Sequence, residues 1–309
     1  MSTPRTHDRT RPIGYALALL QAASYSTMAV FTKCVYATGM TFTTLCIMRM
    51  LITVVLLGGI LLVWRKHALF SRQPLVYVQG ICFATSAITY FLAVKSLNAN
   101  LASVLFFVYP AFTAIASALV FRERITARVA VALVFALGGV GMISGVIGQG
   151  GLTISLEGIL FDVASAVLFA INIVIGQKIT QAESSYTTTF TMMFLGLIIY
   201  SIIFAGDWSC VVAATPQQVG LVVGMALFNT IIPIVLLFEA IKRIGATTAS
   251  LIGIAEAPFS VLIAFIVLGE TFTLLQGAGM LCIVVSIFVI TLPARSQDEQ
   301  SKNPSEKHS

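Results

Sequence analysis

The sequence predicts an all-α polytopic membrane protein, ten transmembrane helices arranged as two inverted five-helix repeats. Three observations predict it. Hydrophobic residues make up 58% of the chain and charged residues 10%. Long apolar stretches follow one another too closely for a soluble core, and one pattern of residues occurs twice.

At about 20 apolar residues per span, the helices fall at Ile13–Val35, Thr41–Trp64, Pro74–Val94, Ala99–Phe121, Thr126–Ile147, Leu156–Gln177, Thr187–Ala205, Gln218–Ile241, Ala246–Leu268 and Phe272–Leu292. The loops between them are short, so no part of the chain outside the spans is long enough for a separate catalytic or DNA-binding domain. The net charge of +6 therefore concerns topology and not nucleic acid. With the N-terminus cytoplasmic, the positive-inside rule collects Arg5, Arg9, Arg11, Arg65, Lys66, Arg72, Arg122, Arg124, Arg128, Lys178, Lys242, Arg243, Arg295, Lys302 and Lys307 on one side. Lys95 alone falls on the other. Both termini are expected in the cytoplasm, and the plasma (inner) membrane is the expected location.

The first hydrophobic stretch follows Arg5, Arg9 and Arg11 as a signal peptide would, but it is too long for an h-region and contains Gln21 and Lys33. It is expected to be a retained helix. Cys34, Cys46, Cys82, Cys210 and Cys282 are odd in number and lack metal-ligand spacing, so packing is their expected role and no metal is expected. The C-terminal stretch ARSQDEQSKNPSEKHS is polar and is predicted to be disordered.

The duplicated pattern carries the inversion. FLAVKSLNANLASVLFFVYPAFTAIASALVFRERIT, from Phe91, aligns without gaps on FEAIKRIGATTASLIGIAEAPFSVLIAFIVLGETFT, from Phe238. Lys95 pairs with Lys242, Ser103 with Ser250, Glu123 with Glu270 and Thr126 with Thr273. Five helices separate the copies, so the second half lies upside down relative to the first.

With Arg122–Thr126 (RERIT) and Gly269–Thr273 (GETFT) closing the fourth and ninth helices, the chain resembles the EamA-type members of the drug/metabolite transporter superfamily. Lys33 and Arg49 also sit where such proteins often carry a Lys and an Arg. The resemblance implies two EamA-like repeats, at 13–148 and 156–293, between a cytoplasmic tail at 1–12 and another at 294–309. It also implies export of amino acids, drugs or other small metabolites. The chain departs from the family's Glu-Pro pair, with Tyr109-Pro110 in one copy and Glu256-Ala257-Pro258 in the other.

Glu256 is the residue that most needs explaining, because an acid at the centre of a transmembrane helix costs about 2.5–3.5 kcal/mol on insertion scales. Roughly 15 Å of helix separates it from Ala246, which puts it near the bilayer midplane. Pro258 withdraws the usual helical donor from the Ile254 carbonyl, so backbone and carboxylate make one polar spot. Ala249, Gly253, Glu256 and Ser260 share a face. The duplicated alignment puts Tyr109 opposite. Gln21 and Tyr25 on the first helix, Tyr90 on the third, Asn172 on the sixth and Asn229 on the eighth, above Pro233, complete the candidate substrate or proton site. Lys33, Arg49 and Asp162 lie toward the outer ends of their helices and are read as an outer gating ion-pair network.

The expected function is secondary transport of a small polar or zwitterionic metabolite, an amino acid or related amine, by alternating access; the direction, export, comes from the resemblance. No cofactor is expected. Glu256 has two roles open to it, proton coupling or direct binding of a substrate amine. Membrane lipid and the solute are the expected partners, and the sequence does not set an oligomeric state. The alternative is a membrane-embedded sensor or scaffold without transport. An intramembrane enzyme is disfavoured because His7, His67 and His308 lie outside the spans and no HExxH occurs. The run GGVGMISGVIG from Gly138 has no preceding strand, so close packing of the fifth helix is its expected role.

Overall fold

The computed structural model describes residues 5–64, 67–97, 99–146, 155–269 and 271–292. Among these residues every regular element is helical. The first half comprises α1 (Arg5–Ser26), α2 (Met28–Ala37), α3 (Phe42–Trp64), α4 (Pro74–Ser96), α5 (Ala99–Phe106), α6 (Tyr109–Phe121) and α7 (Ala127–Ile143). The second comprises α8 (Leu156–Ile179), α9 (Ser185–Ile203), α10 (Trp208–Val212), α11 (Pro216–Ala226), α12 (Ile232–Ile244), α13 (Ala246–Gly253), α14 (Glu256–Leu268) and α15 (Leu274–Thr291). Nine helices or near-continuous helix runs are long and apolar enough to cross a membrane among the described residues, and α7 is a shorter apolar tenth.

The helix breaks reproduce the duplicated sequence. α5 and α6 match α13 and α14 end for end under the displacement that relates Phe91 to Phe238. Pro110 and Pro258 each remove a backbone donor just inside the second helical piece, and the chain tightens there into three-residue turns, Val108 N–H to Leu105 O (3.1 Å) and Ala255 N–H to Ile252 O (2.9 Å). Both second pieces end on a left-handed residue, Arg122 at φ 56° and Gly269 at φ 67°. Thr126 and Thr273, also equivalent, then cap α7 and α15 by accepting from Val129 N–H and Gln276 N–H.

The halves interleave. The most extensive pairs are α4 with α8, α7 with α15, α1 with α12, α4 with α9 and α3 with α9, each joining one half to the other. Exchanging the halves carries α4–α8 onto α12–α1 and leaves α7–α15 and α3–α9 in place, as inverted repeats require. Tyr200, Phe238, Ile47 and Met50 fill the fully buried centre.

Several boundaries differ from the sequence reading. The first helix starts at Arg5, eight residues ahead of the apolar stretch, and runs through Pro12. It breaks at Thr27, whose hydroxyl donates to Ser24 O at 2.8 Å, a break with no Pro or Gly to announce it. The eighth span contains a π turn at Leu227–Ile231 immediately before Pro233, where the missing proline N–H lets the ladder widen. Glu239 pairs with Arg243, one turn along α12, at 2.6 Å. Cys46 and Cys82 are buried as packing residues, whereas Cys34 and Cys210 are exposed. Arg65, Lys66, Ile147, Glu270, the first four residues and the tail from 293 lie outside the described residues.

Candidate functional site

Two cavities open on opposite sides of a packed layer. Along α1, Arg11 and Tyr15 line one, while Gln21 and Tyr25 line the other. Along α13 and α14, Thr248 lines the first of these and Glu256 the second. Ala18, Ala249 and Ile252 are fully buried in the layer between. Gly253 belongs to the layer because a Cβ there would stand 3.0 Å from the Tyr109 hydroxyl and 3.5 Å from Gln21 Oε1.

The cavity at Glu256 has a volume of about 290 Å³, at the small end of ligand cavities, so it suits a single metabolite. Six of the eight residues proposed from sequence line it: Gln21, Tyr25, Tyr90, Tyr109, Asn229 and Glu256. The helix breaks explain two of these, since Tyr109 and Glu256 are each the first residue after a break. Tyr109 donates to Ser250 O at 3.3 Å, which ties the two broken helices together. Asn229 sits in the π turn and its Nδ2 donates to Ser24 O at 3.1 Å and Thr27 Oγ1 at 2.9 Å, so it holds the break in the first span. Phe106, Tyr109 and Phe169 form a ring cluster on the wall, with Tyr109 and Phe169 edge to face at 4.9 Å.

The remaining assignments fall elsewhere. Asn172 is buried behind the wall, with Gln79 Nε2 donating to its carbonyl oxygen at 2.9 Å. Ser260 donates to Ser26 O at 3.4 Å and is not on the lining. Of the three residues assigned to an outer gate, Arg49 lines the cavity, Lys33 is exposed and Asp162 is completely buried. Neither Asp162 oxygen accepts a hydrogen bond and Arg49 Nε donates none, so this conformation does not contain the Arg49–Asp162 pair. The reason is azimuth: equal depth on two helices does not make their side chains face each other. Phe83, Phe107 and Thr230 also line the cavity; alone in apolar helices they carry no sequence signal, and Ser103, on the lining too, is marked in the sequence only by its repeat pairing with Ser250.

The second cavity, about 880 Å³, opens at the end of the bundle that carries the basic residues, and Arg11, Arg128, Lys242, Arg243 and Glu123 line it. Gln177 also lines it. Its Nε2 donates to Glu123 Oε1 at 2.9 Å and its Oε1 accepts from Ala246 N–H at 2.5 Å. One side chain thereby joins α8 to the end of α6 and the start of α13.

Interleaved inverted repeats, with helices broken midway and polar groups gathered at the breaks on a small cavity, are an architecture found among membrane transporters. The chain belongs to the EamA-like transporter family, which matches residues 12–145 and 156–292. A protein of Archaeoglobus fulgidus named only as an uncharacterized transporter is 27% identical over 76% of this chain and 83% of its own length. One of Clostridium kluyveri, named in the same way, is 24% identical over 89% and 92%. A solved crystal structure shares the fold at a TM-score of 0.74 and 18% identity, covering 91% of this chain and 97% of its own.

Proposed function

We propose that this chain carries a small zwitterionic metabolite, an amino acid or related amine, across the membrane by alternating access. The observation behind this reading is that a guanidinium, Arg49, and a carboxylate, Glu256, line one small cavity together with the Phe106, Tyr109 and Phe169 rings. Arg49 receives the solute carboxylate in its planar fork of donors, Glu256 the ammonium, and the rings the apolar body. A buried layer at Ala18, Ala249 and Ile252, with Gln177 bonded across the helices on its basic side, separates the cavity at Glu256 from the basic end. This supports an arrangement in which Glu256 is reached from the other side. The skew of basic residues supports cytoplasmic termini in a plasma membrane, and export is taken from the family resemblance.

The test is counterflow in liposomes of purified protein. Radiolabelled neutral amino acids are compared with the amines that lack their carboxylate and the acids that lack their ammonium. Charge-assisted hydrogen bonds are worth about 1.5–3 kcal/mol, or about 10- to 150-fold in affinity. Intact amino acids should therefore compete at least about tenfold better than either fragment. Glu256→Gln should erase the preference over the acids, and Arg49→Gln the preference over the amines. Retention of both preferences in both variants would remove the assignment, and ligand binding without flux would make the protein a sensor. If Glu256 exchanges a proton, Glu256→Gln should abolish accumulation driven by a pH gradient and leave counterflow intact.

A further inference from the structure

We infer that Asp162 is a proton-binding site, separate from the cavity at Glu256. Asp162 is 0% exposed and both of its carboxylate oxygens lack a hydrogen-bond partner. It is not on the lining of either cavity. A buried carboxylate held as an anion with neither a counter-charge nor a donor is among the costliest arrangements a protein can contain. A bound proton removes the charge without any other group having to move.

The seam around it offers no substitute for the proton. Ser86 on α4 donates to Ser165 O at 2.9 Å, Ser165 on α8 donates to Ser86 O at 2.8 Å, and Gln79 reaches Asn172 O farther along the same pair of helices. This register brings Thr89 level with Asp162, but the Thr89 hydroxyl bonds to the carbonyls of Thr85 and Ser86, each at 3.0 Å. The elements packed on α8 are α4, α5, α6, α12 and α13. Of these, α5 and α13 contain no titratable side chain, and α6 contributes only Tyr109. On α4, Tyr90 stands one residue from the level of Asp162, Lys95 is at the helix end, and Tyr77 and Cys82 lie turns away. Glu239, Lys242 and Arg243 occupy the far end of α12, and Glu157 and Lys178 the two ends of α8. The hydroxyls in reach are already committed, so they do not assemble the several oxygens that a metal cation needs.

The position also gives the proton a consequence. Ser86 and Tyr90 on α4, and Ser165 and Phe169 on α8, line the cavity. Loss of the proton would therefore favour parting α4 from α8, which alters the cavity wall.

The experiment needs no substrate and so is independent of the transport reading. The chain has four aspartates, Asp8, Asp162, Asp207 and Asp298; of the two whose side chains are described, Asp162 is buried and Asp207 partly exposed. Infrared spectra of wild-type protein in lipid at neutral pH, with and without carboxyl-¹³C aspartate, separate protonated aspartic acid from every glutamate, Glu256 included. An acid carbonyl band that shifts with the label, and is lost in Asp162→Asn, is the expected result. Absence of any label-shifted acid band in the wild type would overturn the inference, as would its displacement by sodium at constant pH or its survival in folded Asp162→Asn.

Discussion

Replacing Gly139 by alanine adds one methyl group where α7 and α15 touch backbone to backbone. A Cβ at Gly139 would lie 2.7 Å from the Gly279 carbonyl oxygen and 2.7 Å from Ile283 Cγ1, well inside the 3.4 Å edge of ordinary contact. Gly279 is held the same way, its Cβ position 2.6 Å from Gly139 O. A carbonyl in a helix cannot swing aside, so the helices must part. Two bonds across the seam, Ser286 Oγ to Ala132 O at 2.7 Å and Gln276 Nε2 to Ile143 O at 3.2 Å, would be strained as they do. Overpacking of this kind costs about 1–3 kcal/mol. The neighbouring Gly138 has nothing within 4 Å of its Cβ position, so alanine there gains up to about 1 kcal/mol from helix propensity alone. The same methyl group on adjacent residues should thus have opposite effects. Thermal unfolding of the two variants in detergent, followed by the loss of monodisperse protein on size exclusion, measures the difference. Equal midpoints would refute the claim that this seam is set by backbone contact.

Two further outcomes are expected. Gln177→Leu removes the bonds to Glu123 and Ala246, so a lone cysteine at Gln21, in a chain otherwise cleared of its five cysteines, should be labelled faster by an impermeant maleimide from the basic side; an unchanged rate would mean that the layer around Ala18 seals the path alone. Arg122→Gly relieves a left-handed non-glycine residue and should raise stability by roughly 1 kcal/mol, while Gly269→Ala at the equivalent place should lower it; the same melting assay reads both, and a fall for Arg122→Gly would refute the strain.

Much of this architecture is written in the sequence because a lipid environment leaves few options. A backbone buried in hydrocarbon must bond to itself, so apolar length alone locates the spans, and the duplicated segment locates the breaks at Tyr109 and Glu256. What the sequence withholds is rotation about each helix axis. α3 is apolar nearly all round, so depth placed Arg49 near the outer surface while nothing said that it lines the cavity. Asn172 and Ser260 failed for the same reason: a polar residue in a span satisfies itself against any neighbour, and cavity and seam look alike in one dimension. The break at Thr27 was hidden because the side chain that bonds to it, Asn229, comes from the other half of the chain.

The division of the cavity between the halves has a consequence for how the protein is made. Gln21, Tyr25, Arg49, Tyr90 and Tyr109 come from the first half, Asn229 and Glu256 from the second. Since α1 packs on α12, α3 on α9 and α4 on α8, the first five spans emerge from the ribosome without the helices they are shaped to meet. Until those arrive, Arg49 has only lipid and its own half around it, at a cost below the roughly 2.5–3.5 kcal/mol that insertion scales assign to an arginine at a helix centre, since it lies toward one end of α3. A nascent chain interrupted after α7 would be a marked, unstable object in the bilayer, easily told from the finished one by any quality-control protease that reads exposed charge.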